Sequence, residues 1–290
     1  MANYSIRDLE RLSGIKAHTI RIWEKRYNII QPKRTSTNIR LYCDSELKKL
    51  LNVSILTRNG FRISQVATLS PEELKEKVVF LIHESEDYHN QIDHLVVAML
   101  EFNEHKFEKI ITDCIIKTGF EHTMTRIVYP FFEKIGILWQ TGTIQPAHEH
   151  FVSNLIRQKL IVAIDGQTNN PLQNPAHFLL FLPEGELHEL GLLFYAYLIK
   201  KKGHQLIYLG QNVPFQDVVE AAKINRSDYL FTQFSSPLTE KELQDYVKEM
   251  KKQFPDSTLL ITGFQTRNIK NLPDNVIHIS SPQDFYTYIK

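Results

Sequence analysis

From residue 177 onward, short apolar runs alternate with stretches of helical spacing, and few architectures accommodate that rhythm. The run His177-Phe-Leu-Leu-Phe-Leu-Pro183 reads as a buried strand. Strands are expected at 177–182, 205–209, 228–233, 258–262 and 276–279, with helices at 188–202, 214–225, 239–253 and 282–289. Alternation at this spacing predicts a parallel sheet with helices on both faces. Directly after the first strand comes Glu186-Leu187-His188-Glu189-Leu190-Gly191. An imidazole two residues after a carboxylate stands where a doubly wound domain presents ligand-binding residues, the carboxyl edge of its sheet. Taken alone, His188 has two readings. It is a helix-start histidine donating to a carbonyl, or a metal ligand whose second ring nitrogen is oriented by a carboxylate. Its placement after the first strand favours the ligand.

The net charge of +1 conceals a polarity, because residues 1–70 hold 13 Lys and Arg against 5 Asp and Glu. A basic segment ahead of an acidic remainder points either to a polyanion facing the N-terminal part or to a solvated basic face, and charge alone does not choose between them. There Ser5 is a good N-cap, although Asp8 stands where a capping box carries Glu or Gln, so the box is expected to be imperfect. Gly14 breaks the first helix. A second helix, 16–27, has Ile20, Trp23 and Tyr27 on one face and Lys16, Thr19, Arg21, Lys25 and Arg26 on the other,. Residues 30–42 read as a β-hairpin wing, basic at Lys33, Arg34 and Arg40. A further helix, 45–58, follows. Helix, glycine turn, basic helix and basic wing make a helix-turn-helix.

Between these parts the spacing predicts helices at 71–84, 86–102, 104–118, 120–138 and 146–165, hence a four- or five-helix bundle. Leu95, Val96, Met99, Leu100 and Phe102 form one apolar stripe, and Ile110, Ile111, Ile115 and Ile116 another. Trp139 is followed ten and eleven residues on by Glu149 and His150. Residues 166–175 read as a linker. The expected division is a DNA-binding domain over 1–70, a helical cap over 76–165 and an α/β domain over 176–290.

Three resemblances rest on these residues. Tyr4–Gly14, Thr19–Tyr27 and Arg40-Leu41-Tyr42 resemble the winged helix-turn-helix of the MerR family of bacterial regulators, over about the first 70 residues. The resemblance implies that helix 16–27 enters the major groove of double-stranded promoter DNA, with Arg34, Arg40 and Tyr42 on the backbone. Most MerR proteins continue into a long dimerising helix, and this chain departs from that, so its effector is expected to differ from the usual thiol-bound metal or small drug. Pro183–Gly191 resembles the cobalamin-binding motif of a flavodoxin-like (Rossmann-like) domain. By that resemblance His188 is the lower axial ligand of cobalt, preceded by Glu186 as in the regulatory branch, with Gly191 completing the motif. Ser236-Pro237-Leu238 stands for the Ser-x-Leu that lines the channel of the nucleotide tail. Thr262-Gly263 stands for a Gly-Gly pair, so the Thr262 side chain could crowd that tail.

Trp139, Glu149 and His150 resemble the W-x9-E-H signature of light-dependent MerR–cobalamin repressors of the CarH and LitR type. This implies adenosylcobalamin as cofactor, with Trp139 covering the upper face of cobalt and Glu149 and His150 around the adenosyl group. A broad indole can shield a labile Co–C bond, and a carboxylate can accept from ribose or adenine. The family behaviour implied is dark assembly as a dimer or tetramer, repression of carotenoid or light-protection genes, and release by light.

Other classes stay open. The chain could be a MerR regulator that has lost cobalamin, or a corrinoid-dependent methyl-transfer or mutase component. The basic N-terminal unit and the absence of a catalytic barrel speak against the enzyme. His148 and His150 lack the spacing of a zinc-binding H-E-x-x-H. No signal-peptide pattern or membrane-length apolar run occurs, and Cys43 and Cys114 fit no metal or redox spacing,. A bacterial cytoplasmic, nucleoid-associated protein without a membrane partner is expected.

Overall fold

The computed structural model describes residues 4–35, 38–84, 88–140, 144–167, 172–267, 269 and 272–290. The chain divides into two compact units, Met1–Leu155 and Ile156–Lys290.

The first unit opens with α1 (Ile6–Ser13) and α2 (Ala17–Tyr27). The capping box before α1 closes fully despite the shorter acid. Asp8 N donates to Ser5 Oγ at 3.3 Å, and Ser5 N donates to the Asp8 carboxylate at 2.8 Å. Gly14 ends α1 at φ 72°, a left-handed conformation that suits glycine,. No side chain of its own caps α2; Glu10 of α1 accepts from Ala17 N at 3.1 Å and pairs with Lys16 Nζ at 3.1 Å. One carboxylate thus joins the two helices of the motif. The wing is β1 (Lys33–Arg34) antiparallel to β2 (Arg40–Leu41). Its base is tied to the N-terminus by two backbone hydrogen bonds between Tyr4 and Tyr42, at 2.8 and 2.9 Å. Then come α3 (Asp44–Arg58) and α4 (Ile63–Val66).

The bundle comprises α5 (Pro71–Glu84), α6 (Tyr88–Leu100), α7 (Glu104–Thr118), α8 (Phe120–Thr123), α9 (Tyr129–Gln140) and α10 (Pro146–Asp165), the last running across the division between units. Every residue of α6 from Asn90 to Leu100 is buried, as befits a helix surrounded by its neighbours,. Three expectations are corrected. A π-helical turn, Met124–Val128, interrupts the helix expected over 120–138. Ile116 is 77% exposed, and the buried stripe of α7 is Phe107, Ile110, Ile111 and Cys114, since four isoleucines in two adjacent pairs are too wide for one face. Phe102 lies beyond the end of α6 at φ 49° and stacks on His148, ring centroids 4.5 Å apart.

Within α6 the fully buried Asp93 accepts from Arg58 of α3 and from Lys134 of α9. Both cations are partly exposed and would rehydrate without it, whereas the acid has no comparable access to water. Asp93→Asn keeps the shape and removes the charge. It is expected to lower the unfolding free energy by about 2 kcal/mol, seen as a lower urea midpoint with unchanged slope.

The second unit is a five-stranded parallel sheet in the order β4-β3-β5-β6-β7, formed by β3 (His177–Pro183), β4 (Gln205–Val213), β5 (Tyr229–Gln233), β6 (Thr258–Thr262) and β7 (Val276–His278). The intervening helices are α11 (Leu190–Lys201), α12 (Phe215–Ile224) and α13 (Glu240–Gln253), and α14 (Pro282–Phe285) follows β7. Side chains alternate along β3. Leu179 and Phe181 join a core with Val218 and Val247 of α12 and α13, while Phe178 meets Phe285 on the opposite face. Both faces are therefore covered, as an all-parallel sheet requires. β4 runs four residues beyond its expected end, with two register shifts against β3, and α14 stops four residues early. The helix expected from 188 begins at Leu190, which leaves His188 in the preceding loop.

Candidate functional site

The chain leaves β3 toward β4 on one side and later returns to β5 on the other, so the order in which successive parallel strands are added reverses between β3 and β5. Loops diverge there and leave a crevice. Two of them, following β3 and β5, are stitched together by one side chain. The buried Glu186 carboxylate accepts from Ser235 N and Ser236 N, both at 2.6 Å, and from Ser236 Oγ at 3.1 Å. It also accepts from His188 N at 3.0 Å and meets His188 Nδ1 at 2.6 Å. Burial opposes its charge, but hydrogen bonds from the His188 ring and from the Ser236, His188 and Ser235 amides outweigh burial and hold the carboxyl at about 2,.

The consequence falls on His188. Its side chain is 65% exposed, yet its ring is aligned at Nδ1, so the nitrogen suited to ligate a metal is Nε2. This is the carboxylate–histidine pairing that orients metal-ligating imidazoles. On its other side Glu189 is buried and accepts from Arg157 of α10 and from Tyr208 Oη at 3.1 Å. Beside the stitch lies a cavity of about 380 Å³ walled by Glu186, Ser236, Leu238 and the aromatic rings of Phe215, Phe234 and Tyr246.

The structure thus gathers Glu186, His188, Ser236 and Leu238. Gly263, at φ 110°, lies against the Phe234 backbone, where a Cβ would fall 2.3 Å from the carbonyl oxygen. The hydroxyl of Thr262, expected to crowd a bound tail, donates instead to the Ile279 carbonyl at 2.8 Å. Gly191 adjoins Gln233, which sequence reasoning passed over; so were Glu189, Arg157 and Tyr246. Glu149 and His150 belong to the first unit, in the opening turn of α10. There Glu149 accepts from Ser153 Oγ at 2.5 Å and stands 3.3 Å from His150 Nδ1. Trp139 falls in the last turn of α9, and its side chain lies outside the described residues. His148 is buried against Phe102, and burial lowers its pKa. Among the described residues no three His, Cys, Asp or Glu are placed to hold a metal ion.

At the N-terminal surface, Lys16, Arg21, Lys25, Arg26, Lys33 and Arg34 are exposed and Thr19 is half-buried. Two wing expectations are corrected. Tyr42 is fully buried, its hydroxyl donated to Glu24 Oε2 at 3.0 Å, and the half-buried Arg40 pairs with the same carboxylate at 3.2 Å. Both side chains brace the wing against α2 because Glu24, the lone acid on that helix, draws them in. A solitary acid amid five basic and polar positions was the signal available in the sequence.

Residues 4–73 match the MerR HTH family regulatory protein, and residues 91–163 match the B12 binding domain. The chain thus carries an N-terminal segment similar to MerR helix-turn-helix regulators, and a helical bundle similar to a B12 binding domain. It is homologous to two HTH-type transcriptional repressors of Myxococcus xanthus. To CarH it is 25% identical, covering 87% of this chain and 85% of the relative. To CarA it is 26% identical, covering 90% and 87%. With the monomethylamine corrinoid protein of Methanosarcina barkeri it shares a fold, at TM-score 0.54 and 16% identity over 70% of this chain and 98% of that one. Both Myxococcus xanthus relatives are named as transcriptional repressors. Among the described residues no helix is long and apolar enough to cross a membrane.

Glu186 provides a pH test. With its folded pKa at about 2, below the usual 4.5, the carboxylate contributes stability that is complete above the unfolded value and is lost as pH falls toward 2,. Acid titration followed by circular dichroism should show wild type losing more stability than Glu186→Gln between about pH 5 and pH 2.5.

Proposed function

We propose that this chain is a transcriptional repressor that senses adenosylcobalamin, and through it light, with 1–70 as DNA-binding domain, 76–165 as cap and 176–290 as cofactor-binding domain. The observation that carries the reading is the Glu186–His188 pair, a ring already oriented for a metal on a parallel sheet of corrinoid-protein fold. The fit is chemical. His188 would hold cobalt through Nε2, Glu186 would keep the ring's Nδ1 occupied, and the cavity beside Ser236 and Leu238 offers an apolar, aromatic-walled space for the tail. When bound, adenosylcobalamin supplies a cobalt–carbon bond that light breaks. By the resemblance, Trp139 would shield that bond, and Glu149 and His150 would contact the adenosyl group. Gly191 and Gly263 keep the loops close to the sheet. CarH and CarA carry the name of repressor, and repression is extended to this chain on that basis.

Dark mixing with adenosylcobalamin, desalting and visible spectroscopy test the reading. Wild type should retain a corrinoid spectrum that changes on illumination, whereas His188→Ala should lose the histidine-dependent band. Absence of corrinoid from both would leave a MerR-type regulator acting through another ligand. Trp139→Ala is expected to weaken dark assembly, measured by light scattering, and unchanged assembly would count against its shielding role.

The partner is double-stranded promoter DNA, bound by a dimer or tetramer through α2 and the wing in a bacterial cytoplasm. Of the expected contacts, Lys16 is shared with Glu10 and Arg40 with Glu24, leaving Thr19, Arg21, Lys25, Arg26, Lys33 and Arg34 to carry binding. Arg21→Ala and Lys25→Ala should each weaken binding with a log-affinity against log-salt slope shallower by about 1 per lost phosphate contact. Fluorescence anisotropy across a salt series measures both.

A further inference from the structure

The loop that carries His188 is held at a second point, away from Glu186. Gln233, the last residue of β5, is 9% exposed. Its Nε2 donates to the carbonyl of His188 at 2.8 Å and to Ser235 Oγ at 3.0 Å. Its Oε1 lies only 2.4 Å from where a Cβ on residue 191 would stand. Gly191 is not among the glycines of positive φ, so its backbone does not demand glycine. Space does, and what occupies the space is the Gln233 amide.

We propose that Gln233 is a positioning residue for His188, and that residue 191 is glycine to make room for it. The proposal rests on the reading of His188 as the cobalt-holding residue. Glu186 fixes residue 188 by its ring and its amide, and Gln233 fixes it by its carbonyl. With that carbonyl released, the peptide after His188 can rotate and carry the ring off the line set by Glu186. An alanine at 191 would push on the far end of a flexible side chain, so Gln233 would yield and drop the carbonyl. Gly191→Ala and Gln233→Leu therefore inflict one and the same loss, and combining them adds nothing.

Two measurements on the full chain test this. The first follows the ring nitrogens of His188 by NMR in protein without corrinoid, the signal being assigned by its absence in His188→Ala. The second is the dark affinity for adenosylcobalamin together with the histidine-dependent visible band. Each single variant is expected to shift the ring signals alike and to weaken cobalamin about fivefold, the worth of one hydrogen bond. The double variant should match the singles within about twofold. A double variant weakened by the product, about 25-fold, would overturn the link between Gly191 and Gln233. Unchanged ring signals and affinity in Gln233→Leu, which keeps the volume and loses the donor, would overturn the positioning role. If wild type takes up no cobalamin but the ring signals shift as expected, the positioning stands and the cofactor reading falls.

Discussion

A buried negative charge must be solvated by the protein itself, and the Glu186 carboxylate obeys that constraint by gathering two loops around it. Backbone amides from the loop after β5, a serine hydroxyl and the amide and ring of His188 all point at two oxygens. Neither loop could move far without leaving the charge short of donors, at a cost of several kcal/mol. The crevice geometry, the heading of the imidazole and the mouth of the aromatic cavity all follow from satisfying this one group.

The same device recurs in the first unit. Glu24 draws the wing onto α2 through Arg40 and Tyr42, Glu10 ties α1 to the start of α2, and Asp93 holds α3 and α9 against the central α6. In each case one carboxylate connects separate elements, neighbours in sequence for Glu10 and more distant ones for Glu24 and Asp93. Hydrophobic burial supplies the bulk of the stabilisation but is indifferent to direction, whereas a shared anion fixes which helix meets which. The exposed basic side chains of α2 therefore sit on a frame braced from its inner side.

Much of this was legible from residue types. The parallel sheet was readable because each strand is a short apolar run and each helix has its own spacing, and α7 and α10 fall at their expected bounds. Glu186 and His188 were visible as a pair at the end of a strand. What escaped was long-range. Gln233 lies 45 residues from His188 and looks like an ordinary strand terminus. Tyr42 reads as a wing aromatic until Glu24, 18 residues earlier, is seen to take its hydroxyl. Helix onset at 188 was mistaken because Glu186 ties down the His188 amide and ring, keeping that residue in the loop. Local pattern reports propensity, and these features are set by partners that no local pattern contains.

The π-helical turn at Met124–Val128 has a geometric consequence for the helix that follows. Such a turn accommodates roughly one extra residue in an α-helical path, and one residue corresponds to about 100° of rotation. From Tyr129 to Gln140 the backbone therefore runs out of phase with the turn that begins at Phe120, so a helical wheel drawn from α8 misassigns every heading in α9. Lys134 reaches Asp93 in this shifted phase, and the backbone at Trp139 inherits the same offset. Chain length between two fixed points, rather than the chemistry of any side chain, acts here as the compass of the helix.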